Sequence, residues 1–81
     1  MENEITVFWV MDMKCVKRIR DLRKDHDLTQ QQIADILNTL QVMYARYERG
    51  ANEMPIHHLL TLCRFYNVSA DYILGLTDDK D

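Results

Sequence analysis

Three histidines and two cysteines are the side chains in this 81-residue chain that would first suggest metal or nucleophilic chemistry. His57 and His58 are adjacent, so on a helix they project about 100° apart and do not suit one shared metal. His26 stands alone, and neither Cys15 nor Cys63 has a partner at ligand spacing. The histidines are expected to be solvated or to sit near helix caps. No nucleophile–base pair or carboxylate cluster stands out, and two glycines, Gly50 and Gly75, do not make a phosphate cradle. The expectation is a protein without catalysis, metal or cofactor. Its cysteines, far apart in sequence, read as reduced, buried thiols of a cytoplasmic protein.

Charge gives a different lead. The formal net charge is -3, yet residues 14–50 hold eight Lys/Arg and five Asp/Glu, a local net of +3. Residues 1–13 and 51–81 are each at -3. Acidic ends around a basic centre leave a positive face available to phosphate. Length and apolar content suit one small domain, with no room for a separate sensing domain. No apolar run approaches bilayer-spanning length, and Ile5–Met11 (ITVFWVM) has acidic flanks and no cleavage signature.

The elements that must position the polar side chains are helical. Val16, Ile19, Leu22 and the stem of Arg23 recur at three- and four-residue spacing, which predicts a helix over Lys14–His26. Thr29 and Gln32 form a capping box for a helix over Gln30–Leu37, expected to bury Ile33, Ile36 and Leu37 and to end at a left-handed Asn38. A helix over Gln41–Arg49 stops at Gly50, with Tyr44 and Tyr47 expected in the core and their hydroxyls at its rim. Pro55 opens Ile56–Tyr66, whose expected inner face is Ile56, Leu59, Leu60 and Cys63. Ser69 caps Ala70–Leu74, Gly75 ends it, and residues 78–81 are expected to form a frayed acidic tail.

Two short helices joined by a tight turn, in the setting IRDLRKDHDLTQQQIADIL, YARYERG and MPIHHLLTLCRFYNVSADYILG, resemble the Cro/C1-repressor-type (XRE) helix-turn-helix transcriptional regulators. The likeness covers roughly Lys14 to Thr77. It implies an all-α, five-helix, lambda-repressor-like DNA-binding domain over residues 14–77. It also implies a homodimer that reads double-stranded DNA in the major groove with the helix at about 41–49, most simply as a cytoplasmic repressor of bacterial or phage origin.

Residue by residue, the resemblance places Gln30 against the DNA backbone, where a helix N-terminus and an amide suit a phosphate oxygen. Gln41 falls at a base-reading position, and glutamine bonds adenine at two points. Arg46 is assigned to phosphate or a guanine edge, and Arg49 and Asn52 to backbone. The chain departs from the pattern where a polar reading face is usual, with Leu40, Val42, Met43 and Ala45. Val42 and Ala45 would then touch thymine methyl groups. Two arrangements account for the departure: either Thr39 caps the helix and Leu40 turns inward, or the helix presents an apolar outer face.

Residues 1–13 form an apolar arm, read as extended or β. Ile5, Val7, Phe8, Trp9 and Val10 are assigned to pairing across a dimer axis, with folding back onto the domain as the alternative. The competing function is a protein-interaction module on the same scaffold, an antitoxin, anti-repressor or dimerisation partner, in which the apolar helix meets another protein.

Overall fold

The computed structural model describes the backbone from Glu2 to Lys80 and the side chains from Met13 to Lys80. Five α-helices follow one another: α1 (Glu2–Asp25), α2 (Gln30–Leu37), α3 (Gln41–Arg49), α4 (Ile56–Tyr66) and α5 (Ala70–Leu74). No strand occurs among the described residues. The arm expected as an extended segment therefore carries helical backbone continuous with α1. Once a helix is nucleated, each added residue gains a hydrogen bond, whereas a lone strand has no partner, so local β propensity does not decide the conformation. The side chains of Ile5, Val7, Phe8, Trp9 and Val10, and their assigned dimer contacts, lie outside the described residues.

Helix boundaries follow local chemistry. Thr29 Oγ1 accepts from the backbone N–H of Gln32 at 3.1 Å, and Gln32 Oε1 accepts from the Thr29 N–H at 2.8 Å. Ser69 caps α5 in the same way, its Oγ accepting from Tyr72 N–H at 3.0 Å. Asn38 and Asn67 both adopt φ of 57°, closing α2 and α4 in the left-handed conformation that asparagine tolerates. Gly75 closes α5 at φ of 83°, and a Cβ built there would lie 2.7 Å from Lys14 Cβ, so this corner needs glycine twice over.

The core gathers Ile19 and Leu22 from α1, Ile33, Ala34 and Leu37 from α2, Tyr44 and Tyr47 from α3, Leu59, Leu62 and Tyr66 from α4, and Ile73 from α5. Each fully buried aliphatic side chain contributes roughly 1.5–3 kcal/mol. Helix α1 packs against α3 and α5, and α2 packs against α3 and α4. Ile36, Cys15 and Cys63 are only half-buried, and no disulfide joins the two thiols.

Helix α4 turns a different face inward from the one expected. His58, Leu59, Leu62 and Tyr66 are buried, while Ile56 and Leu60 are 73% and 43% exposed. Apolar residues lie almost all round this helix, so three- and four-residue spacing fits two stripes equally well. Packing against Tyr47, whose ring centroid is 6.0 Å from that of His58, selects the stripe. His58 is thus a buried histidine rather than a solvated one. Its ring also rests 4.3 Å from that of His57 instead of pointing away. Burial first, and then His57, hold the His58 imidazole below its ordinary pKa.

The tail is docked, at least as far as Lys80. Ser69 N–H donates to the Lys80 carbonyl at 2.7 Å. Arg18 stacks 4.2 Å over the Tyr72 ring, donates to the carbonyls of Tyr72 and Thr77, and pairs with Asp78 at 2.8 Å. A guanidinium has five donors on one plane, enough to hold a helix end and the chain beyond it together. The acidic composition of the tail concealed this anchor.

Candidate nucleic-acid interface

Helices α2 and α3 are separated by Asn38, Thr39 and Leu40 alone. Asn38 N–H bonds back to the Asp35 carbonyl at 3.1 Å and Thr39 N–H to Ala34 at 2.9 Å, so α2 ends by reversing the chain on itself. Thr39 does not cap α3. Leu40 occupies the N-cap in extended conformation without a side-chain hydrogen bond, and it is 68% exposed. Of the two arrangements open from sequence, the apolar outer face is the one found.

Helix periodicity sorts α3 into two faces. Tyr44, Tyr47 and Glu48 are buried. Val42, Ala45, Arg46 and Arg49 stand at i, i+3, i+4 and i+7, which places them along one outward stripe. Val42 is 55% exposed, Arg46 and Arg49 are exposed, and Ala45 is half-buried at the stripe's edge. Gln41 is exposed at the N-terminal end of that stripe, and Met43 is half-buried beside it. Asn52 is exposed in the loop beyond α3, on the rim of a shallow hollow lined by Cys15, Val16, Ile19, Tyr47 and Met54. Neither Arg46 nor Arg49 forms an ion pair among the described residues.

Gln30 lies at the first position of α2, half-buried and occupied at both ends of its amide. Its Nε2 donates to Glu48 Oε1 at 3.2 Å, and its Oε1 accepts from Gln41 Nε2 at 2.8 Å. The backbone-contacting and base-reading positions assigned by resemblance are therefore directly bonded to each other. One Nε2–H of Gln30 remains for an outside acceptor. None of α2, α3 or α4 has an acid in its first turn, so the positive ends of their dipoles are not neutralised there.

Beneath this pair lies an ion pair that the helical pattern did not reveal. Arg23 Nε and Nη2 donate to Glu48 Oε2 and Oε1 at 2.7 and 3.0 Å, and Arg23 Nη1 donates to the Leu28 carbonyl at 2.9 Å. The two side chains are 14% and 3% exposed. Burial by itself would raise the Glu48 pKa, but the hydrogen bonds from Arg23 and Gln30 win and hold it below the ordinary carboxylate range. Arg23 is raised by the same bond. Burial holds the Tyr44 phenol far above its usual range, and that of Tyr66 is pushed up to about 12. The Tyr44 hydroxyl, expected at the rim, is instead buried and faces the Glu48 carboxylate, and the Tyr66 hydroxyl is buried without a hydrogen-bond partner among the described residues. One signal for the ion pair was available: on a helix that must bury Tyr44 and Tyr47, a glutamate four residues after Tyr44 shares their face.

No helix among the described residues is long and apolar enough to cross a membrane, and no group of three metal-ligating side chains is found among them. A capped helix, a three-residue turn and a second helix whose outer stripe mixes apolar and cationic side chains define a helix-turn-helix. Residues 19–73 match the family model described as Helix-turn-helix, and the chain belongs to the Cro/C1-type helix-turn-helix family of DNA-binding transcriptional regulators.

Similarity extends to particular proteins. The HTH-type transcriptional regulator YobD of Bacillus subtilis is 46% identical over 65 residues, 80% of this chain and 58% of that protein. Antitoxin PezA of Streptococcus pneumoniae is 38% identical over 79% of this chain and 39% of its own length. The HTH-type transcriptional regulator ImmR of Bacillus subtilis is 36% identical, with coverages of 78% and 50%. The chain thus spans about half the length of these relatives. A crystal structure of a transcriptional regulator from Listeria innocua superposes with a TM-score of 0.73 at 30% identity, covering 75% of this chain and 57% of that one.

Proposed function

We propose that this protein is a sequence-specific transcriptional regulator, acting as a repressor, that inserts α3 into the major groove while α2 crosses the backbone. The observation that supports this reading is the outward stripe of α3, where Gln41, Val42, Arg46 and Arg49 are free of the core and directed to one side. Gln41 is assigned to adenine, Val42 and Ala45 to thymine methyl groups, and Arg46 to a guanine edge or phosphate. Gln30, Arg49 and Asn52 are assigned to phosphate. The DNA-binding unit is placed at residues 14–77. It acts as a homodimer whose reading helices are about 34 Å apart, one turn of duplex. The apolar run Ile5, Val7, Phe8, Trp9 and Val10 is assigned to contact between the two copies. Deletion of residues 1–12 that left the light-scattering mass unchanged would remove that assignment.

Selection of binding sites from fragmented genomic DNA, followed by titration at two salt concentrations, tests the function. The expected result is a pseudo-palindrome bound at least a thousandfold more tightly than random duplex and weakened by Gln41→Ala. Weak, sequence-indifferent binding that disappears with salt would instead show phosphate attraction only. A second reading has its own support: Leu40 and Val42 expose apolar surface at the start of α3, and one relative is an antitoxin. In that reading the same face meets a protein, and the absence of any selected site would favour it.

A further inference from the structure

The geometry points to Glu48, which faces the interior, as the residue that decides which atoms of the Gln41 amide are turned outward. An amide side chain is chemically two-faced, a carbonyl acceptor on one side and an NH2 donor on the other, and rotation by half a turn exchanges them. A carboxylate has no such freedom, because when ionised it only accepts. Glu48 is fixed in that state by the Arg23 guanidinium, which only donates. Gln30, at 3.2 Å from Glu48, must then present its NH2 inward, which leaves its carbonyl toward Gln41. Gln41 must in turn present its NH2 to that carbonyl, at 2.8 Å. The polarity of one buried charge is passed through two amides to the protein surface.

The outcome at the surface is specific. With one Nε2–H given to Gln30, Gln41 has its Oε1 and one remaining Nε2–H to offer. One acceptor and one donor complement adenine, which displays the N6 donor and the N7 acceptor in the major groove. Were the chain of bonds reversed, Gln41 would turn its carbonyl to Gln30 and offer two N–H donors outward, a pattern suited to the O6 and N7 acceptors of guanine. Glu48 touches no base; it is a positioning residue, and Gln30 is the link. The consequence for base choice rests on the DNA-reading assignment above, whereas the direction of the bonds does not.

Glu48→Gln is the informative change, since it keeps shape and removes the fixed polarity. Arg23 donates to both carboxylate oxygens, Nε to Oε2 at 2.7 Å and Nη2 to Oε1 at 3.0 Å. The shorter bond keeps the new carbonyl at the Oε2 position, so the NH2 takes the Oε1 position, faces Gln30 and inverts both amides. Scalar couplings across hydrogen bonds, measured by nuclear magnetic resonance on the full chain without DNA, read the direction. The wild type is expected to show coupling from the Gln41 NH2 to the Gln30 carbonyl carbon. In Glu48→Gln, with folding confirmed by circular dichroism, that coupling disappears and one from the Gln30 NH2 to the Gln41 carbonyl carbon replaces it. Persistence of the wild-type coupling in the variant overturns the inference, whatever the DNA results.

On a selected site, replacing the contacted adenine by unsubstituted purine, which lacks the N6 amino donor, should weaken wild-type binding on the order of tenfold and Glu48→Gln hardly at all. A merely structural role would lower affinity on every sequence alike and leave that sensitivity intact. Should Glu48→Gln not fold, Gln30→Met removes the link without touching the ion pair and frees the Gln41 amide to turn either way. The same sensitivity is then expected to fall, because the amide must be oriented at the moment of binding; full sensitivity in that variant overturns the proposal. Failure to select any site while the couplings run as stated would defeat the DNA reading and leave the bond direction standing.

Discussion

Helices α2 and α3 are adjacent, similar in length and joined by three residues, yet they are held in opposite ways. Helix α2 closes itself locally: a reciprocal capping box at Thr29 and Gln32 satisfies its start, and a left-handed Asn38 satisfies its end. Helix α3 starts at an exposed leucine that caps nothing. Its position comes from side chains that reach other helices, namely the Tyr44 and Tyr47 rings and the Glu48–Arg23 ion pair to α1. The comparison teaches that in this pair α2 is fixed by its own sequence and α3 by its neighbours. A surface assigned to touch bases can then vary in sequence without loss of the fold.

Breaking the ion pair should have the largest effect. Glu48→Ala leaves the Arg23 guanidinium half-buried without its carboxylate and is expected to cost about 3–5 kcal/mol in urea or guanidinium unfolding. Loss below about 1 kcal/mol would show that α3 is positioned by its aromatic rings alone. Acid reaches the same pair without mutation. His58 has a folded pKa below its unfolded value, so its contribution is complete above pH 6.5 and fades as pH falls through the folded value. Glu48 follows below pH 4.5, for the same reason of sign. At the alkaline end, burial raises the Cys63 thiol above 9.0 and Tyr66 to about 12, so stability is lost from pH 9 upward. Thermal unfolding at stepped pH is expected to show a plateau between these limits, and Glu48→Gln should flatten the lower part of the acid limb.

Smaller effects sharpen the contrast between the two helix starts. Thr29→Ala removes one half of the capping box and is expected to cost about 1 kcal/mol. Leu40→Ser runs the other way: a hydroxyl at the uncapped start of α3 should stabilise by about 0.5–1 kcal/mol, because it supplies the bond α3 lacks and removes exposed apolar surface. If Leu40→Ser also raises affinity for a selected site, the leucine is an obstacle to DNA; if it lowers affinity for a protein partner and leaves DNA unaffected, the apolar face serves the partner.

Helix ends were legible because caps are short-range: Thr29 with Gln32, Asn38, Gly50, Ser69 and Gly75 each act within a few residues, and each is found where its chemistry requires. The burial of Tyr44 and Tyr47 was also legible from helical spacing, and the family resemblance singled out Gln30 and Gln41, which the fold brings within 2.8 Å of each other. Three features were not. The inner face of α4 was ambiguous because apolar residues ring it, and only contact with Tyr47 chose His58 over Ile56. The tail is anchored by Arg18 from more than fifty positions away, a partnership no local window contains. The uncapped start at Leu40 broke the pattern on which the resemblance relies, so sequence left two arrangements open.

What the sequence by itself determined is the set of local decisions: where helices α2 to α5 begin and end, and that the second and third form a helix-turn-helix. Hydrogen bonds to nearby backbone and the 3.6-residue period make those decisions within one or two turns. Tertiary structure alone decided what the polar residues are for. Arg18 and Arg23 could not be told from the solvated cations around them until Asp78 and Glu48 were brought alongside, and Gln30 could not be known as a link until α1, α2 and α3 met at one buried carboxylate. Charge and amide orientation depend on partners distant in sequence, because a buried polar group must be satisfied by whatever the fold places next to it.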